Sequence, residues 1–290
     1  MLKKLVRVAP LLALFLLPLL HAEDAFFDSD GVRIHYIVEG SGEPVLLIHG
    51  YTSSAAGNWA APGVIKGLVA DHYQVIAIDN RGHGQSEKPH DPAMYGPKMI
   101  HDSLHLLDHL KIQKAHIVGY SMGGFFTLDL LCDHPERFLT ATLGGAGFDA
   151  PANVTDLAES LEQGKGFGPL MVALTPPGQQ PPPPEQMASI NKMLLAINDP
   201  LALAAVVRAG LPQVSEAQVK ANKVPTLALV GSLDPLKAGV DHLEAMNMPN
   251  LKVVVVPGAT HMTAFASPVF IQNLKSFLEE HPAKARAATN

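Results

Sequence analysis

The sequence predicts an α/β protein, with a largely parallel sheet covered by helices on both faces and a helical insertion. Two patterns carry that prediction. Short apolar runs alternate with helix-period segments along most of the chain, the order expected when parallel strands are joined by crossover helices. Between residues 148 and 223 the pattern changes to short amphipathic segments with no strand-like run. With 290 residues, 47% hydrophobic and 17% charged, the chain can bury the core of one such domain and its insertion.

Strands are predicted at 32–38, 45–48, 73–78, 115–118, 139–143, 226–230 and 251–256, each a brief apolar run ending in turn residues. Residues 23–147 and 224–283 form the sheet-bearing unit and 148–223 the insertion. Inside the insertion, 154–161, 185–197 and 201–209 read as helices. Asp199-Pro200 starts the last of them with a capping carboxylate followed by a first-turn proline. Pro176-Pro177 and Pro181 to Pro184 crowd into one segment that is expected to be extended and exposed.

The amino terminus is read separately. Lys3, Lys4 and Arg7 lead into an apolar run, 8–20, that contains Pro10 and Pro18 and falls short of the roughly 20 residues a membrane span needs. That pattern predicts a secretory signal over residues 1–22, cleaved after Ala22, with export to the periplasm or beyond and no stable membrane span afterwards. Cys132 is the one cysteine, so export brings no internal disulfide; its place in an apolar helical run predicts a buried structural thiol. The formal charge of −6 speaks against a nucleic-acid partner.

Gly119-Tyr120-Ser121-Met122-Gly123 places one serine between a buried strand and the helix that follows it. So tight a turn brings backbone against backbone, and glycines two residues either side stand where a Cβ would clash. The hydroxyl is held out near free N–H groups at the helix start, where negative charge is favoured. Other strand ends empty into His49-Gly50-Tyr51, Asp79-Asn80-Arg81-Gly82-His83-Gly84-Gln85-Ser86, Gly231-Ser232-Leu233-Asp234 and Gly258-Ala259-Thr260-His261.

In this order, serine before acid before histidine, the chain resembles the α/β-hydrolase family across most of its length after residue 22. The resemblance implies that fold, with 148–223 as a cap over the serine, and a Ser-His-Asp hydrolase working without metal or organic cofactor. Ser121 is then the nucleophile, His261 its base and Asp234 the acid that orients the histidine. The backbone N–H groups of Tyr51 and Met122 form the oxyanion hole. Each residue has a rival reading: Ser121 as a helix cap, Asp234 as a cap for the helix near Leu236, and Asp149 as the acid in its place. His49 and His83 read as structural hydrogen-bonders. Trp59 reads equally as core or as substrate wall. His101, His105 and His109 recur every fourth residue, which could suggest zinc, but they flank an apolar stripe and read as a solvated face.

The activity this implies is cleavage of carboxylic esters of small or medium apolar acids, with a small-molecule ester as partner. Carbon–carbon bond hydrolases and cofactor-free haloperoxidases or perhydrolases are similar at the Ser-Met-Gly-Gly elbow. Epoxide hydrolases and haloalkane dehalogenases need a carboxylate where this chain has serine. A non-catalytic carrier or receptor for an apolar ligand is the reading from another class.

Overall fold

The computed structural model describes residues 23–149 and 155–283; the predicted signal with its cleavage point at Ala22, and the predicted helix start at Val154, lie outside the described residues. Eight strands form one sheet: β1 (Glu23–Ser29), β2 (Val32–Glu39), β3 (Glu43–Ile48), β4 (Tyr73–Ile78), β5 (Ala115–Tyr120), β6 (Phe138–Gly144), β7 (Thr226–Gly231) and β8 (Leu251–Val256). Their spatial order is β1-β2-β4-β3-β5-β6-β7-β8. β3 to β8 pair in parallel, and β2 runs antiparallel to both β1 and β4.

The seven predicted strands are all present, and the sequence reading lacks β1. That strand carries Glu23, Asp24 and Asp28 among its seven residues, which leaves little hydrophobic alternation. It is held by a full ladder to β2, from Glu23↔Val38 to Ser29↔Val32. Asp30 and Gly31 join the two with φ of 53° and 78°, as a two-residue hairpin turn with positive φ at both positions requires.

Side-chain alternation along β3 divides the core in two. Val45 and Leu47 face α1 (Val64–Ala70) and the last helix, Pro268–Glu279, meeting Ile65, Leu68, Phe270 and Leu274. Leu46 and Ile48 face the opposite layer, α2 (Pro97–His109) and α3 (Met122–Asp133), meeting Met99, Leu106, Phe126 and Leu130. Helices thus cover both faces, and each such side chain contributes about 1.5–3 kcal/mol by leaving water. The turn after β4 is tied to α2 by the fully buried Arg81, whose Nε and Nη2 donate to the two Asp102 oxygens at 3.0 and 2.7 Å. Its Nη1 and Nη2 also donate to the carbonyls of Met94 and Ser29, respectively.

Between β6 and β7 lie α4 (Thr155–Glu162), α5 (Gly168–Ala173), α6 (Pro184–Ile197), α7 (Pro200–Ala209) and α8 (Glu216–Ala221). Asp199 caps α7 by accepting from the N–H of Leu201 and Ala202, both at 3.0 Å. α5 and α8, six residues each, are too short to show a helical period. Pro184 departs from the expected extended loop: it opens α6, where a missing N–H leaves nothing unpaired. Leu157, Leu161, Phe167, Leu194 and Leu203 give these helices a small core of their own. Ala205 and Val206, on another side of α7, join the α2/α3 layer of the main core.

Of the α2 histidines, His109 is exposed and His101 and His105 are half-buried, so the expected solvated face is partly covered. His105 Nδ1 lies 2.8 Å from Ser29 Oγ, His109 stacks on Phe27 with centroids 5.4 Å apart, and His101 meets the ring of His134. Among the described residues no group of three or more His, Cys, Asp or Glu is arranged to hold a metal ion. Nor is any single helix among them long and apolar enough to cross a membrane. Cys132 is half-buried rather than buried; desolvation, with Asp129 and Asp133 adding, pushes its thiol up to about 11.

Candidate active site

Ser121 sits between β5 and α3 with φ 54° and ψ −117°, a conformation that costs a non-glycine residue free energy unless the surroundings enforce it. The surroundings are backbone. A Cβ on Gly119 would lie 2.0 Å from the Gly123 carbonyl oxygen, and one on Gly123 would lie 2.2 Å from that of Ile48. The serine N–H donates to Gly144 O at 2.7 Å, and its carbonyl accepts from Gly124 and Phe125 N–H, which start the helix. Its hydroxyl makes no capping bond to α3, so the rival reading as a helix cap has no contact behind it.

Instead, Ser121 Oγ is 2.9 Å from His261 Nε2, and His261 Nδ1 is 2.9 Å from Asp234 Oδ2. His261 and Asp234 are buried, while Ser121 is partly open. An ionised carboxylate only accepts, so Nδ1 carries the proton and the Nε2 lone pair faces the serine hydroxyl. Asp234 also accepts the Leu236 N–H on Oδ1 at 2.9 Å, just ahead of the helix Lys237–Ala245, which has no side-chain cap. Asp149 is placed elsewhere: its exposed carboxylate meets His242 Nδ1 at 2.8 Å.

The loop after β3 packs against the serine; a Cβ on Gly50 would lie 3.1 Å from Ser121 Cβ. The Gly50 carbonyl accepts from Ser53 N–H at 3.2 Å and pairs with His49 Nδ1 at 2.8 Å. Because the peptide is trans, the Tyr51 N–H is directed away from those partners. Among the described residues no hydrogen bond engages the N–H of Tyr51 or of Met122, the first residue of α3. The Tyr51 phenol donates to Leu203 O on α7 at 2.9 Å. Asn198 Nδ2 donates to Thr52 O, so the α6–α7 junction also rests on this loop.

A buried polar network supports the loop. His49 Nε2 accepts the Asn80 N–H at 2.9 Å, which fixes the neutral tautomer with its proton on Nδ1; burial keeps this imidazole's pKa below the usual value. His83 pairs through Nδ1 with Arg81 O, and burial, with His49 beside it, pushes its pKa down to about 3. Asn58 Oδ1 accepts the Gly50 N–H at 2.9 Å, a role that no spacing in the sequence signals. Trp59 is fully buried among Val64, Leu68 and Phe270, which places it in the core. Asp79 accepts from Ala55 and Gln85 N–H and from His35; although burial opposes ionisation, these partners hold it down at about 2.

Comparison with known proteins agrees with this architecture. A family model described as alpha/beta hydrolase fold matches residues 43–167. The dihydrolipoyllysine-residue acetyltransferase component of an acetoin cleaving system from Cupriavidus necator is 37% identical over 122 residues, covering 41% of this chain and 30% of its own. A 2-hydroxymuconate semialdehyde hydrolase from a Pseudomonas species is 33% identical over 140 residues, covering 48% of this chain and 47% of its own. The matches thus span less than half the length of these curated relatives. The crystal structure of the enol-lactonase from Burkholderia xenovorans superimposes with a TM-score of 0.72 at 22% identity, covering 88% of this chain and all of that one. Sheet order, serine elbow, the match to the family model over residues 43–167 and the superposition agree: the chain has the α/β-hydrolase fold.

Proposed function

We propose that the chain is a serine hydrolase that cleaves carboxylic esters through an acyl-Ser121 intermediate. One observation carries the reading: Asp234, His261 and Ser121 form a continuous hydrogen-bonded chain, 2.9 Å at each link, beside two unengaged backbone N–H groups. Serine hardly ionises at neutral pH and needs a base within hydrogen-bond reach. As Ser121 Oγ attacks the ester carbonyl, its proton passes to His261 Nε2, and Asp234 stabilises the resulting imidazolium. The tetrahedral oxyanion accepts from Met122 and Tyr51 N–H; losing one such donor typically costs about 3–4 kcal/mol of transition-state stabilisation. His261 then gives its proton to the departing alkoxide and draws one from the water that releases the acid. The proposal uses no metal or organic cofactor.

The insertion acts as a cap, since α7 and the α6–α7 junction rest on the loop that carries Tyr51. The proposed setting is the periplasm or the extracellular space, on the strength of the signal-like residues 1–22.

The test is hydrolysis of a chromogenic short-chain ester by the parent and by Ser121→Ala. Activity in the parent that is lost in the variant supports the reading, and equal rates overturn it. A parent that binds an apolar ester without turnover points to a carrier. A second reading is favoured by the relatives named as 2-hydroxymuconate semialdehyde hydrolase and 2-hydroxy-6-oxo-6-(2'-aminophenyl)hexa-2,4-dienoic acid hydrolase. In that reading the same residues cleave a carbon–carbon bond of a ring-cleavage product. Fast fading of a dienoate chromophore with weak esterase activity would select it.

A further inference from the structure

We propose that Tyr120 is a positioning residue, whose phenol holds the backbone of His261 so that the imidazole stays in line with Ser121. This rests on the reading of Ser121 and His261 given above. Tyr120 ends β5 immediately before the serine, and its Oη donates to the His261 carbonyl at 2.5 Å across 141 residues of chain. One residue therefore anchors the nucleophile through its backbone and the base through its side chain.

The fit around it is close. The Tyr120 ring lies 5.4 Å from the imidazole, 5.1 Å from Phe265 and 6.0 Å from Phe270, centroid to centroid. A Cβ on Gly144 would come within 2.7 Å of this ring, and one on Gly145 within 3.0 Å of it and 3.2 Å of His261 Cε1. These two glycines open the slot in which ring and imidazole lie side by side. The histidine loop is tied to the Asp234 loop by Leu233 N–H to Ala259 O at 2.9 Å and Gly258 N–H to Ser232 Oγ at 2.8 Å. Its tie to the strand that carries the serine is the Tyr120 phenol. Burial, with the Asp234 carboxylate adding, pushes that phenol's pKa well above its usual value, so it remains a donor across the working pH range.

The test is Tyr120→Phe, which removes the hydroxyl and keeps the ring in its slot. The rate of phosphonate inactivation and kcat on a chromogenic ester should fall together, by about 10- to 100-fold, the scale of a 1 Å misplacement. KM should stay within about twofold, because the substrate contacts are untouched. In proton NMR the His261 Nδ1–H resonance should exchange with water faster than in the parent. Unchanged kcat, or a loss of kcat matched by loss of folded protein in a thermal melt, overturns the proposal. If the parent itself reacts with neither ester nor phosphonate, the proposed function fails; the Nδ1–H comparison still decides, and identical exchange overturns the tyrosine's role.

Discussion

Replacing Asp234 by Asn tests the electrostatic half of the site without changing its shape. The carboxylate has two acceptor oxygens, and both are in use: Oδ1 takes the Leu236 N–H and Oδ2 takes the His261 Nδ1–H, each at 2.9 Å. An amide offers one acceptor and one donor, so either orientation sets a donor against a donor. With the amide nitrogen toward Leu236, a buried N–H loses a charge-assisted partner, at a cost of about 1.5–3 kcal/mol. With the nitrogen toward His261, the imidazole must move its proton to Nε2, and the lone pair facing Ser121 is gone. The corresponding change in a Ser-His-Asp protease lowers kcat about 10⁴-fold, or roughly 5.5 kcal/mol. We expect kcat on a chromogenic ester to fall by about 10³- to 10⁴-fold with KM nearly unchanged. A variant that melts near the parent and keeps activity within about tenfold would refute the role given to Asp234.

Three further outcomes follow from the packing. Arg81→Ala takes both guanidinium donors from the buried Asp102 carboxyl, which keeps the Ser29 hydroxyl, and should cost about 3–5 kcal/mol in urea unfolding; a loss below about 1 kcal/mol would contradict the description of that pair. Gly123→Ala drives a methyl against the Ile48 carbonyl and should lower stability by more than about 1–3 kcal/mol. Gly67→Ala meets nothing within 4 Å on α1, and should raise stability by about 0.5–1 kcal/mol in the same melt. His35 is buried, which lowers its pKa, but Asp79 and Asp24 outweigh that and leave it raised. The stability it contributes is therefore complete below about pH 6.5 and is lost as pH rises through the higher folded value. The drop in Tm between pH 6 and pH 9 should be smaller in Asp24→Asn than in the parent, and an equal drop would count against the pairing.

The parallel core was legible because β3 to β7 are largely buried on both faces and read as apolar runs, as does the more exposed edge strand β8, and each ends in a turn rich in Gly, Asp or Asn. The elbow was legible for a stronger reason: the contacts at Gly119 and Gly123 leave no room for a side chain. β1 was hidden because three of its seven residues are acidic, although Asp30-Gly31 was a usable hairpin signal. Asn58 and Tyr120 were illegible as supports, because each acts through a contact set by the folded chain, Asn58 on the Gly50 N–H and Tyr120 on the His261 carbonyl. The sequence favours Asp234 over Asp149, and in the structure Asp234 is the one that hydrogen-bonds His261, while Asp149 meets His242.

The central claim is that Ser121 is a nucleophile activated by His261. Its most direct measurement is reaction with a serine-directed phosphonate followed by peptide mass mapping. The account predicts a single adduct on the peptide containing Ser121, formed quickly by the parent and at least about 10²-fold more slowly by His261→Ala. Label on another residue, no label on folded protein, or an equal rate without the imidazole would contradict it.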